Sequence, residues 1–239
     1  MKSLKARFAR HFERNIAENA DVNLVFADVD AKGLPLHNTH SVQNVAYCRP
    51  EPQKAVPLPN THTIGFVDTY HHSFNLMDLK RFLHTVFPII KKKVPDVCLI
   101  LAGKGLDETQ AQLGLPRRGV EVIGEVDDVS AVYEQAQIVV CPMLSGEGGN
   151  VNVSEAICHH RPVVSYSYGV PGQPEDVVMS GLLTVVDNDQ AFASRCVELL
   201  ENPDLVQKLH SLAVDYVELI YPRSYLKESL AKYVNGEVD

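Results

Sequence analysis

The sequence lacks any excess of basic residues: 22 Lys and Arg stand against 30 Asp and Glu in 239 residues, a formal net charge of −8. A duplex-binding protein needs a basic stripe, because phosphate neutralisation supplies most of its affinity, so nucleic acid is excluded as the expected partner. The one dense basic run, Lys91-Lys92-Lys93, falls where a helix should end, and cations there suit the negative end of the helix dipole; a patch for an anionic ligand is the other reading. A C-x-x-C pair is also lacking. The five cysteines, Cys48, Cys98, Cys141, Cys158 and Cys196, are odd in number and scattered. That argues against a disulfide framework and for a reducing compartment, the cytoplasm. The charged N-terminal stretch MKSLKARFARHFERNIAENA contains no apolar h-region, so it does not read as a secretory signal. No apolar run approaches the length of a membrane span. No G-x-G-x-x-G follows an early strand, which removes the dinucleotide fingerprint of dehydrogenases and epimerases. There is no metal-ligand spacing, internal repeat or low-complexity tract.

What is present is ordinary for a globular chain that buries a real core: 45% hydrophobic and 22% charged residues. Residues 2–19 read as a helix on which Phe8, Phe12 and Ile16 recur four apart on one face. That face is expected to pack against protein; lying on the inner face of a membrane is the other reading. Val22–Ala27 and Ser41–Cys48 read as extended pieces. Pro50–Asn60 holds four prolines, each removing a donor and blocking helix, and reads as a linker or boundary. From Thr61 strands and helices alternate. Thr61–Val67, Val97–Gly103, Val120–Gly124, Gln137–Met143, Arg161–Ser167 and Gly181–Val186 read as strands. Asn75–Lys93, Glu108–Leu113, a segment capped by Asp127 or Asp128 that runs to Ala136, and Val151–His160 read as helices. Asp189–Leu200, Pro203–Leu219 and Arg223–Val234 follow as three C-terminal helices. Strand–helix alternation calls for right-handed crossovers and a doubly wound parallel sheet, a Rossmann-like α/β fold over 61–190.

Ligands of such sheets sit at the carboxyl ends of the strands. Those ends are Val67–Asp68, Gly103–Gly105, Gly124–Val126, Pro142–Gly149 and Ser165–Gly172, and glycine concentrates there. The strongest candidate is SGEGGNVNVSEA, Ser145–Ala156, between a strand and a helix. Glycines at 146, 148 and 149 let the backbone approach a ligand, and the free N–H groups of Gly149–Asn152 at the helix start suit an anion such as a diphosphate. Glu155, in the second turn, has two acceptor oxygens for the hydroxyls of a ribose; Glu147, in the loop, has them for a sugar. A glycine-rich helix start with dipole-favoured acids is the structural alternative. The pairs His71-His72 and His159-His160 are adjacent in sequence, so their side chains diverge and neither is a good two-ligand site. His71 or His72 remains a candidate phosphate donor. Gly103-Lys104-Gly105 is too short for a phosphate loop and reads as a turn, with Lys104 a candidate facing the crevice.

Glu147 and Glu155 also form E-G-x6-E-A, which resembles the E-x7-E signature of the family 4 (group 1) retaining glycosyltransferases. The surrounding text is similar too: IGFVDTYHHSFNLMDLKRFLHTVFPIIKKKVPDVCLILAGKG, VEVIGEVDDVSAVYEQAQIVVCPM and EAICHHRPVVSYSYGVPG match that family's order over roughly 61–190. The resemblance implies the C-terminal, donor-binding half of a B-type glycosyltransferase and transfer of a hexosyl group from a nucleotide diphosphate-sugar. By it, Glu155 holds the ribose and Glu147, the catalytic position, the donor sugar. Gly148, Gly149, Asn150 and Val151 hold sugar or diphosphate, Gly124, Glu125 and Val126 meet the base, and Asp68 and Lys104 line the same cleft; no metal is needed. Three departures stand out. The Arg and Lys that often follow the family's first strand are replaced by Asp68-Thr69-Tyr70-His71-His72, although Asn75 resembles the residue of a subset of members. The Lys three residues before the second glutamate is Asn152. The glycine closing the helix is His160, a residue that tolerates left-handed φ.

The family's other half carries the acceptor site and a catalytic histidine. Residues 1–48 resemble only its last helix and strand, and Arg223–Val234 the segment that packs back on it. The chain is therefore expected to be a fragment, a subunit or a degenerate copy: 1–60 a remnant with its linker, 61–190 the nucleotide-sugar domain, 191–239 C-terminal helices. Association with a partner chain or with itself through residues 4–27 is expected. A binding or interaction module that needs a partner for turnover is the alternative to an enzyme.

Overall fold

The alternating apolar runs become a six-stranded sheet in a computed structural model that describes residues 4–25, 28–33, 36–42, 55–115, 118–144, 151–220 and 225–235. Ahead of the sheet lies a small layer: helix α1 (Leu4–Glu18), strand β1 (Asn23–Val25), helix α2 (Asp28–Gly33) and strand β2 (Thr39–Ser41), with β1 and β2 parallel. Asn23 and Asn38 stitch this layer: Asn23 Nδ2 donates to the Ala17 carbonyl and to Asn38 Oδ1, and Asn38 Nδ2 donates to the Ala20 carbonyl. The expected strand Ser41–Cys48 is corrected at its start, because pairing with β1 draws in Thr39 and His40; residues 43–54 lie outside the described ones. Helix α2 was not legible, being too short to show a period.

The main sheet continues with β3 (Thr63–Val67), α3 (Ser73–Thr85), α4 (Phe87–Lys93), β4 (Cys98–Ala102), α5 (Leu106–Leu113), β5 (Val120–Gly124), α6 (Ser130–Gln135), β6 (Ile138–Cys141), α7 (Val151–Cys158) and β7 (Val163–Tyr166). A 3-10 turn (Ser167–Gly169), α8 (Glu175–Met179), β8 (Leu183–Val186), α9 (Asp189–Glu201), α10 (Pro203–Ile220) and α11 (Tyr225–Val234) complete it. All strand pairs are parallel, in the order β5-β4-β3-β6-β7-β8. The apolar runs are continuous rather than alternating because helices cover both faces: every residue of β3, β6 and β7 is buried. Each fully buried Leu, Ile, Val or Phe contributes about 1.5–3 kcal/mol, and the cluster extends from Ile64 to Val217. Cys141, Cys158 and Cys196 are buried free thiols within it, acting as small hydrophobes.

The expected single helix Asn75–Lys93 is two. Pro88 has no N–H for the His84 carbonyl and its ring crowds it, so the chain turns at Val86, where α3 ends and α4 begins. The triple lysine does close a helix, α4, and Lys91 Nζ donates to the Val97 carbonyl. Of the two capping aspartates, Asp128 is the one whose carboxylate accepts from Ser130 N, at 2.8 Å. Helix α10 packs on α7 and α9, and Tyr233 of α11 lies 4.9 Å from the His40 ring of the N-terminal layer.

Candidate functional site

The strand order dictates where a ligand belongs. From β3 the chain steps outward to β4 and β5, then returns to lay β6 on the other side of β3. The connections out of β3 and β6 therefore run to opposite sides of the sheet, and the carboxyl ends of these two strands are where a ligand of such a sheet is expected. Asp68 follows β3, and α7 follows the loop after β6. The glycine-rich stretch between them, including Glu147, Gly148, Gly149 and Asn150, lies outside the described residues. Its two ends are placed. Asp78, buried on α3, accepts from Leu144 N at 2.9 Å, and Val151 opens α7 half-buried against the core.

Asp68 sits at the switch point with a dense set of donors. Its carboxylate accepts from Thr69 N at 2.7 Å and from Asn75 Nδ2 at 2.8 Å, and Asn152, in the first turn of α7, donates to it as well. Asn75 Nδ2 also reaches the Thr69 carbonyl at 2.9 Å. Burial pushes the Asp68 carboxyl up from 3.8 to about 6, against the lowering effect of Thr69, Asn152 and His72; Asp78 adds to the rise. Two of the three sequence departures thus meet in space: Asp68, with Asn75, and Asn152 form one cluster where the family often carries cations. Arg81, further along α3, is engaged by Asp189 and Tyr166.

This cluster predicts a pH effect. The folded chain holds the Asp68 proton more tightly than the unfolded chain, so its contribution to stability is full below about pH 4 and is lost as pH rises through about 6. Asp68→Asn, which does not ionise, should gain on the native chain in urea midpoint between about pH 4 and pH 7. An identical difference at both pH values would refute the buried-carboxyl assignment.

The loops after β3, β4 and β5 lock together through backbone. Asp68 N donates to the Ala102 carbonyl, Tyr70 N to that of Lys104, and Gly103 N to that of Gly124. Gly103, Gly105 and Gly124 all have positive φ, at 136°, 81° and 84°. A Cβ on Gly105 would meet the His71 ring at 2.7 Å, and one on Gly124 the Asp107 carboxylate at 2.7 Å. His71 therefore lies over Gly105, while His72 stacks on Phe74 at 5.3 Å. The Lys104 and Glu125 side chains are exposed, and Val126 is half-buried against the core.

Glu155 is held from below by a residue the sequence did not flag. Tyr133 of α6, fully buried, donates its hydroxyl to Glu155 Oε2 at 2.8 Å. The Tyr133 ring stacks on His159 at 4.6 Å. His159 Nδ1 donates to the Glu155 carbonyl at 2.8 Å, which leaves Nε2 to accept from Ser130 Oγ at 3.1 Å. Burial raises the Glu155 carboxyl, the Tyr133 hydroxyl lowers it, and Asp128 raises it further. The result is an oriented, half-buried carboxylate on the helix that follows the loop. Tyr133 occupied an ordinary apolar helix position in sequence; nothing there distinguished it from core.

Comparison with known proteins bears on the family and the fold. The family described as "Glycosyl transferases group 1" matches residues 61–202. EpsD of Bacillus subtilis (strain 168), which carries a glycosyltransferase name, is 24% identical over 148 residues, 60% of this chain and 39% of its own length. The chain thus spans less than half of that relative. A crystal structure of an S. aureus TarM variant, in complex with fondaparinux, alpha-GlcNAc-glycerol and UDP, shares the fold with a TM-score of 0.73 at 18% identity, over 94% of this chain and 46% of that one. WaaG, a glycosyltransferase involved in lipopolysaccharide biosynthesis, does so with a TM-score of 0.70 at 14% identity, over 96% and 67%. The doubly wound sheet is that of B-type glycosyltransferases, and the chain belongs to the group 1 glycosyltransferase family.

Proposed function

We propose that this chain binds a nucleotide diphosphate-sugar in the crevice between β3 and β6 and supplies the donor half of a retaining hexosyl transfer. The oriented Glu155 carboxylate carries the reading: it stands one turn into the helix after the glycine-rich loop, with two oxygens for the ribose hydroxyls. The amides opening α7 serve the diphosphate, as helix N-termini do for anions. Glu147 and the glycines beside it serve the donor sugar, and Gly124–Val126 the base. Calorimetry with UDP-, GDP- and ADP-sugars, in the presence of EDTA because the reading calls for no metal, tests it. No heat from any of them with a folded sample would end the proposal.

The N-terminal layer is proposed as the surface on which a partner chain or a second copy of this chain docks, and a peripheral place at the inner membrane face is a further part of the proposal. Phe8, Phe12 and Ile16 of α1 are 72%, 59% and 56% exposed on one face, and among the described residues β1 and β2 pair only with each other. Contiguous exposed apolar surface of this kind marks an interaction site. Phe8→Glu with Phe12→Glu should convert an associated form to monomer in sedimentation while leaving the melting of the main sheet unchanged. Among the described residues no helix is long and apolar enough to cross a membrane, so flotation with anionic vesicles reads surface attachment alone.

A further inference from the structure

Val56 and Pro57, on the way into β3, are pinned to the residues that follow α7 and to α10 by three side chains. Val56 N donates to His160 Nδ1 at 3.0 Å. The Val56 carbonyl accepts from His210 Nε2 at 2.7 Å and from Arg161 Nη1 at 3.2 Å. Arg161 Nη2 donates to the Pro57 carbonyl at 2.6 Å, and its Nε to the Tyr133 carbonyl at 2.7 Å. All three side chains are buried, and Arg161 is fully so. His160 closes α7 with φ 61°, the one non-glycine residue at positive φ among those described. A glycine would take that conformation without strain. What a glycine lacks is the imidazole on which the Val56 amide rests.

The protons of this contact have one arrangement. An amide N–H donates, so His160 Nδ1 must offer its lone pair, with the ring neutral and its hydrogen on Nε2. A carbonyl accepts, so His210 Nε2 carries its hydrogen. A proton on His160 Nδ1 would face the Val56 N–H head on. It would also add a buried cation beside Arg161, whose own charge burial already disfavours, its pKa being lowered to about 10. The groups facing the site are His210 from α10, Arg161 itself, His159 from the end of α7, which feels Arg161, and Glu134 from α6, whose carboxylate is the opposing charge that Arg161 feels.

We propose that His160, with His210 and Arg161, is a proton-operated clamp that fastens the 55–60 strap to the end of helix α7, closed with a neutral imidazole and released by its protonation. Because α7 carries Glu155, the clamp joins the approach to the N-terminal layer with the candidate donor helix. Neither the clamp nor its test depends on which ligand the crevice takes.

Amide hydrogen exchange of the intact, uniformly labelled chain tests this at one atom. The protection of the Val56 amide, corrected for intrinsic exchange, is followed from about pH 8 to about pH 4, through and below the ordinary imidazole range because burial beside Arg161 disfavours the imidazolium. Gly65 and Leu101 in the central strands serve as references. Val56 protection should fall by about tenfold toward acid, the scale of one lost buried hydrogen bond, while the references hold. His160→Gly, which suits the backbone, should show low Val56 protection at every pH. His160→Asn, which tolerates positive φ and offers a non-titrating acceptor, should restore protection without the pH dependence. Flat Val56 protection in the native chain, or a pH-dependent loss that persists in His160→Gly, overturns the clamp.

Discussion

Glu155→Ala is expected to weaken binding of the recognised nucleotide diphosphate-sugar by one to two orders of magnitude, about 1.5–3 kcal/mol for lost hydrogen bonds to a charged acceptor. The carboxylate is oriented before any ligand arrives, with Tyr133 donating at 2.8 Å from a fully buried position. Little orientational freedom is then lost on binding, and the hydrogen bonds to a diol act in a partly desolvated site. Glu155→Gln keeps one carbonyl acceptor and should lose less than Ala. Tyr133→Phe should act in the same direction more weakly, by freeing the carboxylate to sample other rotamers. Calorimetric titration of the three variants gives the order, and near-equal thermal midpoints show that the fold is intact. A Glu155→Ala chain that binds as tightly as the native one would falsify the ribose assignment and leave Glu155 as a helix acid.

Gly103→Ala should be the most damaging single methyl group in the site, destabilising the chain by about 2–6 kcal/mol through two separate causes. A φ of 136° lies where only glycine is at ease, and forcing a side chain there costs on the order of 1–3 kcal/mol. The added Cβ would also overlap the Asp68 carbonyl oxygen. That oxygen belongs to backbone at the end of β3, so it cannot swing aside as a side chain would, and overpacking of this kind costs about 1–3 kcal/mol more. Urea unfolding monitored by circular dichroism measures the loss. Relief would displace Asp68, so any donor affinity that survives should fall as well. A loss under about 1 kcal/mol, the ordinary effect of a surface change, would show that the β3 and β4 loops are not locked as described.

The sheet was legible because its signal is local. Continuous apolar runs such as Cys98–Ala102 and Ile138–Cys141, separated by amphipathic segments, can be satisfied only by strands covered on both faces. The Glu147–Glu155 spacing was equally local, and it led to the family to which the chain belongs. The break at Val86 was misread because the hydrophobic period of Asn75–Lys93 runs through it while Pro88, a single residue, decides the backbone. The turn after β7 and helix α8 were missed for want of length; five residues cannot display a period.

Residue spacing and apolar pattern by themselves determined the class of fold, the order of the elements, the end of the sheet where a ligand is expected and the candidacy of Glu155. These depend on neighbours a few positions away. Only the tertiary structure decided that β6 returns beside β3 and sets the switch point there, that Asn75 and Asn152 converge on Asp68 and leave its proton in place to about pH 6, and that Tyr133 holds Glu155. It alone showed why histidine stands where α7 ends: the partner of His160 is Val56, 104 residues away in the chain. Pairings at such separation, and the desolvation that shifts a carboxyl, exist only once the whole core has closed around them.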